Sequence, residues 1–132
     1  MSNELATVST ENTMSAIAFD VTSREGKKKL LNALNGAESL NDHPDKTQLT
    51  LVGLVVRPTT RVDDATGECV DCMGTTFITE DAAYFSMSDG IARSAQNLIA
   101  AYGESFAEEP VTIEFASRKL DAKRTLKFFN VL

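Results

Sequence analysis

Two periodicities divide the chain. From Ser23 to Gly36 apolar residues recur at helical spacing, with Leu30, Leu31 and Leu34 on one stripe and Lys27, Lys28 and Lys29 towards water. Ser23 is placed to cap this helix, which starts near Arg24, and Gly36 to stop it. From Thr47 the period becomes two. Leu49 and Leu51 alternate inward, Gly53 interrupts, and Leu54 and Val56 resume on the other parity, the mark of a glycine bulge in a strand that bends to serve both halves of a small barrel. Arg57-Pro58 ends this strand, and the stretch from Asp63 to Glu68 carries the turn chemistry of a long hairpin. A second strand is predicted over Met73 to Thr79 and a third over Ala83 to Met87, joined at Glu80-Asp81. With Thr76, Ile78, Phe85 and Met87 assigned to the core, Thr75, Phe77, Tyr84 and Ser86 face outward on one patch of sheet. Ser88 caps a helix from Asp89 to Tyr102, with Ile91, Ala95, Leu98 and Tyr102 as its buried stripe and Gly103 as its stop. Pro110 opens a fourth strand with Val111, Ile113 and Phe115 inward, Arg118 to Arg124 make a basic turn, and Thr125 to Leu132 form the last strand.

The resulting order, β-β-β-α-β-β, is that of the oligonucleotide/oligosaccharide-binding (OB) fold. The expected fold is therefore mainly β, a five-stranded OB-like barrel with a helix between strands 3 and 4, preceded by an N-terminal helix. Residues 1–18 read as a flexible N-terminal arm, because residues 1–15 are dominated by Ser, Thr, Asn and Glu, and residues 19–132 read as one OB-like domain. Phe19 and Val21 are expected to form a short extended piece. At 132 residues and 42% hydrophobic content the chain can bury one core without staples.

Charge changes the picture locally. The net charge of −6 opposes phosphate, yet residues 110–132 carry five bases against two acids, a net of +3 in the only basic segment of the chain. Salt screens acids on other surfaces over a Debye length of about 10 Å, so the sign of the local groove decides. No apolar run is long enough to span a membrane and no basic-then-apolar start is present, so a cytoplasmic protein is expected.

Catalytic chemistry finds little to work with. There is no Trp, a single His, His43, in the loop Asn41-Asp42-His43-Pro44-Asp45, and no nucleophile motif or telling pair of carboxylates, so no catalytic residue, metal site or cofactor is assigned. Cys69 and Cys72 have half of a zinc spacing or a redox spacing, but lack two further thiol or imidazole ligands and a following helix; two reduced cysteines at a strand start is the plainer reading. Lys27, Lys28 and Lys29 read as a solvated helix face, with phosphate contact as the alternative. Ser88-Asp89-Gly90 at a helix start would suit an anion, but Asp89 repels one and the capping role is preferred.

Binding chemistry is better supplied. OB barrels stack bases of single strands on aromatic rings and track the phosphates with Lys and Arg. Phe77 and Tyr84 are the expected stacking platforms, with Phe129 a further outward candidate. Arg57 and Arg61 flank the first long loop, and Arg118, Lys119, Lys123, Arg124 and Lys127 line the last hairpin. Two blander readings stand beside these: the aromatics pack under the N-terminal helix or against a second subunit, and the basic hairpin is an edge kept soluble by charge. An acidic protein-interaction or assembly module with no nucleic-acid binding is the alternative function.

The run Tyr84-Phe85-Ser86-Met87-Ser88-Asp89-Gly90-Ile91, continued by Ser94, Asn97-Leu98 and Tyr102-Gly103, resembles the middle of a group of small phage-encoded single-stranded DNA-binding proteins. The stretch from Leu31 to Leu40 and the valine-rich strand after it resemble the same group, so that the likeness runs from about Phe19 to the last strand. It implies a replication or recombination accessory protein that coats single strands without sequence preference, self-associates along DNA and works beside replication proteins. The Cys-Val-Asp-Cys pair departs from that pattern. The chain also ends in Phe128-Phe129-Asn130-Val131-Leu132 in place of the acidic tail through which bacterial counterparts recruit partners.

Overall fold

The computed structural model describes residues 13–40, 45–63, 65–102 and 110–132, with Arg61 described by its backbone alone. The described elements are β1 (Met14–Ile17), α1 (Arg24–Gly36), β2 (Glu38–Ser39), β3 (Gln48–Leu51), β4 (Gly53–Val62), β5 (Cys69–Ile78), β6 (Ala83–Ser86), α2 (Asp89–Tyr102), β7 (Val111–Lys119) and β8 (Thr125–Val131). They form two sheets, ordered β1-β4-β5-β6-β2 and β3-β7-β8.

The bend expected at Gly53 is what joins the sheets. Leu49 and Leu51 on β3 and Leu54 and Val56 on β4 all reach one core cluster, while Val52 between them turns to the opposite side and donates its N–H to Ile78 O at 2.8 Å. The fold is mainly β, but the expected closed five-stranded barrel is not seen among the described residues. β2 takes the second edge of β6 in parallel pairing, and β8 pairs with β7 alone, so the strands that would have to meet to close a barrel do not.

Three further corrections have local causes. Met14–Ile17, placed by the sequence in a flexible arm, pairs antiparallel with Gly53–Val56 and buries Ala16; an apolar position every second residue suffices when a sheet edge is waiting for it. Pro58 does not end its strand, because β1 pairing stops at Val56 and a residue without an N–H is tolerated on an edge. Tyr102, expected in the core, is 36% exposed, whereas Ile91, Ala92, Ala95 and Leu98 make the buried stripe of α2. The proposed stop at Gly103, the loop from Glu104 to Glu109, His43 and residues 1–12 of the arm lie outside the described residues.

Both helices are capped as their sequences ask. Ser23 Oγ accepts from Gly26 N–H at 3.0 Å, and Ser88 Oγ from Ile91 N–H at 3.3 Å. α2 covers the inner side of β4, β5 and β8, and α1 packs Ala33 and Leu30 over Val52 and Ile78 on the outer side. At the centre of the inner core Phe77, fully buried, meets Phe115 and Phe129 edge-on with ring centroids 5.5 and 5.7 Å away. Phe115 and Phe129 are direct cross-strand partners on β7 and β8, which brings the third pair of rings to 6.1 Å.

Candidate nucleic-acid interface

Strand register decides which side chains share a face. Val55 opposes Thr76, Arg57 opposes Gly74 and Thr59 opposes Cys72 across β4 and β5, while Thr76 opposes Phe85 and Phe77 opposes Tyr84 across β5 and β6. Because side chains alternate, Val55, Arg57 and Thr59 lie on one face with Cys72, Gly74, Thr76 and Phe85, and Phe77 and Tyr84 point to the other, towards the inner core. The expected parity of β5 and β6 is thus reversed. Phe77 is fully buried, Phe129 is 6% exposed, and Tyr84 packs against the inner cluster, so the rings expected as stacking platforms are core or core-lining residues. Met87, expected in the core, is exposed.

The aromatic on the outer face is Phe85, which sequence reasoning had placed in the core. It is partly exposed, and its ring does not stand away from the sheet. A Cβ built on Gly74 would lie 2.8 Å from Phe85 Cζ, 2.9 Å from Cε1 and 3.0 Å from Thr59 Cγ2. Phe85 faces Thr76 in the ladder, so to reach Gly74 two residues along β5 its side chain must lie along the sheet surface. The tip of the ring thus lies over Gly74, and part of the side chain is open to solvent. Gly74 was the available signal in the sequence: a glycine inside a strand often marks close approach by another group.

The electrostatics of this face differ from those of the whole chain. Its rows, Val55, Arg57 and Thr59 on β4, Val70, Cys72, Gly74 and Thr76 on β5, and Ala83 and Phe85 on β6, contain Arg57 and no carboxylate; Asp71 falls on the opposite parity. Arg57 is half-buried beside Gly74. The backbone of Arg61 extends the same parity towards the β4–β5 turn. That turn is closed by Asp63 N–H to Glu68 O at 2.8 Å and by Gly67 at φ +74, the left-handed conformation a glycine takes without strain. At the far end, α1 closes the face over Ile78, where Lys29 Nζ lies 5.0 Å from the Phe19 ring.

The five cations of the last hairpin are all exposed, but they are not equivalent. Arg124 Nε donates to Asp121 Oδ2 at 2.8 Å, and Asp121 Oδ1 also accepts the Lys123 and Arg124 N–H groups at 2.9 Å each. These bonds, led by that from Lys123 N–H, hold the Asp121 carboxyl below the ordinary carboxylate range. Arg124 therefore spends part of its charge within the turn. Among the described residues no ion pair engages Arg118, Lys119, Lys123 or Lys127. Lys127 stands near the root of the hairpin and lines a cavity of about 120 Å3 together with Ser86, Ser88, Asp45 and Phe115, so the basic hairpin adjoins the end of β6 on the inner side of the sheet, to which Ser86 points, and not on the Phe85 side.

No disulfide joins Cys69 and Cys72, which both lie on β5. Three residues along a strand they point to opposite faces roughly 10 Å apart, beyond disulfide reach, and among the described residues no cluster of His, Cys, Asp and Glu is arranged for a metal. No described helix is long and apolar enough to cross a membrane.

The family model described as phage single-stranded DNA-binding protein matches residues 8–131. The chain belongs to this family. The match takes in β1 and every later element, and the partner that membership brings is single-stranded DNA. No curated protein and no solved structure matches the chain significantly.

Proposed function

We propose that the chain coats and protects single-stranded DNA during phage replication or recombination, without reading its sequence, in the cytoplasm of the host cell. The binding surface is OB-like: the outer face of β4, β5 and β6, flanked by the β4–β5 turn and the β7–β8 hairpin. The observation that carries this reading is the Phe85 ring laid against Gly74 beside Arg57, on a face whose strand rows hold no carboxylate. A base stacked on such a ring is worth about 1–3 kcal/mol whatever its identity, because every base has a π-face. Arg57 and Arg61 take the phosphates on one side, and Arg118, Lys119, Lys123 and Lys127, with Arg124 in a lesser role, take them on the other. One platform covers few nucleotides, so coating requires neighbours in lateral contact along the strand.

The test is fluorescence anisotropy of a labelled dT oligonucleotide of about 30 nucleotides at low and moderate salt, against a duplex of equal length. Wild type binds the single strand alone, and more weakly as salt rises. Phe85→Ala weakens binding about fivefold to a hundredfold with little change of salt slope. Wild-type affinity in Phe85→Ala, or equal affinity for duplex, would overturn the assignment of this face.

A further inference from the structure

Glycines in this fold do different work. A side chain at Gly26 would run into the carbonyl of Asp20, and one at Gly90 into the carbonyl of Lys127, where backbone would have to move. At Gly74 the obstruction is the far end of a side chain, Phe85 Cζ and Cε1, with the Thr59 methyl on the other flank. Backbone φ at Gly74 is ordinary, so conformational freedom does not explain a glycine there. Strand interiors disfavour glycine, which loses entropy and offers nothing to pack. The missing side chain is what leaves room for the ring.

We propose that Gly74 is a positioning residue for DNA binding: its bare backbone leaves the space that the tip of the Phe85 ring occupies, and any side chain there displaces the ring from the position in which it stacks a base. This rests on Phe85 being the stacking platform. Gly74 itself touches no DNA. Because the atom displaced belongs to a side-chain tip, the fold accommodates Gly74→Ala by moving Phe85, and the loss falls on binding before it falls on stability.

A double-mutant cycle decides it. Affinity for the dT oligonucleotide, salt slope and thermal midpoint are measured for wild type, Gly74→Ala, Phe85→Ala and the double variant. Gly74→Ala is expected to weaken binding about threefold or more with an unchanged salt slope, since no phosphate contact is lost, and to add no further loss once Phe85 is gone. Wild-type affinity in Gly74→Ala while Phe85→Ala binds weakly overturns the role of Gly74 alone, as does an equal loss in both backgrounds. Wild-type affinity in Phe85→Ala overturns the platform and, with it, this proposal. If Gly74→Ala does not fold, Thr59→Ser removes the opposing methyl, and the comparison of Thr59→Ser with Thr59→Ser/Gly74→Ala carries the same two outcomes.

Discussion

Replacing Phe77 by Ala separates the two faces of the sheet. Phe77 has no exposed surface, and its ring meets Phe115 and Phe129 edge-on at 5.5 and 5.7 Å, so truncation leaves a cavity and breaks two aromatic pairs at once. Burial and cavity together cost about 3–5 kcal/mol for Phe→Ala, and edge-on pairs worth about 0.5–1.5 kcal/mol each place this site in the upper half of that range. For a domain of this length each kcal/mol moves the midpoint by roughly 3–5 °C, so a loss of about 4 kcal/mol lowers it by roughly 12–20 °C. Stability of about 5–15 kcal/mol for an ordinary domain leaves the variant folded in the cold. With no Trp in the chain, urea unfolding is followed by far-ultraviolet circular dichroism. Affinity for the dT oligonucleotide, measured well below the lowered midpoint, should stay within about twofold of wild type because Phe77 faces away from Arg57 and Phe85. A loss below about 1.5 kcal/mol accompanied by abolished binding would refute the reasoning. It would put Phe77 on the DNA face and Phe85 in the core.

Other perturbations test the remaining parts. Ser23→Ala removes the acceptor of the Gly26 N–H and should cost about 1 kcal/mol in a urea melt; no measurable loss would show that water replaces the cap. Lys127→Ala should reduce the slope of log affinity against log salt by about 0.7 with little change in midpoint, and an unaltered slope would take Lys127 off the phosphate path. Asp121 has a carboxyl pKa lowered in the folded turn, so its contribution is fully present above the unfolded value and is lost as pH falls through the lower, folded one. The amide resonances of Lys123 and Arg124 should therefore titrate together with a midpoint below the ordinary Asp value, and a midpoint at or above it would remove Asp121 as the acceptor that holds the turn.

Much of the fold was legible because one face of each helix and of β7 meets water. α1 spans Arg24–Gly36 and α2 Asp89–Tyr102, in keeping with the caps at Ser23 and Ser88, and Val111, Ile113 and Phe115 alternate inward on β7 as read; the stripe of α1 is corrected, since Leu31 is 57% exposed and Gly26 and Ala33 are its buried positions. The change of parity at Gly53 was legible too, since Leu49, Leu51, Leu54 and Val56 have polar neighbours on the β3 side to mark the period. The cations of the last hairpin needed only composition to find.

The face of β5 and β6 was decided by tertiary structure alone. Gly74, Thr75, Thr76, Phe77 and Ile78 are all buried, the inner positions under α2 and the second sheet, the outer ones under α1 and Phe85. Where both sides of a strand are covered, polar and apolar residues no longer alternate, and a slip of one residue exchanges core for binding face without disturbing the local pattern. Sequence determined by itself that this is a mainly β chain with a bent strand, two capped helices and a basic last hairpin. Only the packing of α1 and α2 on opposite sides of one sheet settled that Phe77 is core and that Phe85, its tip over Gly74, is a partly exposed ring on the outer face.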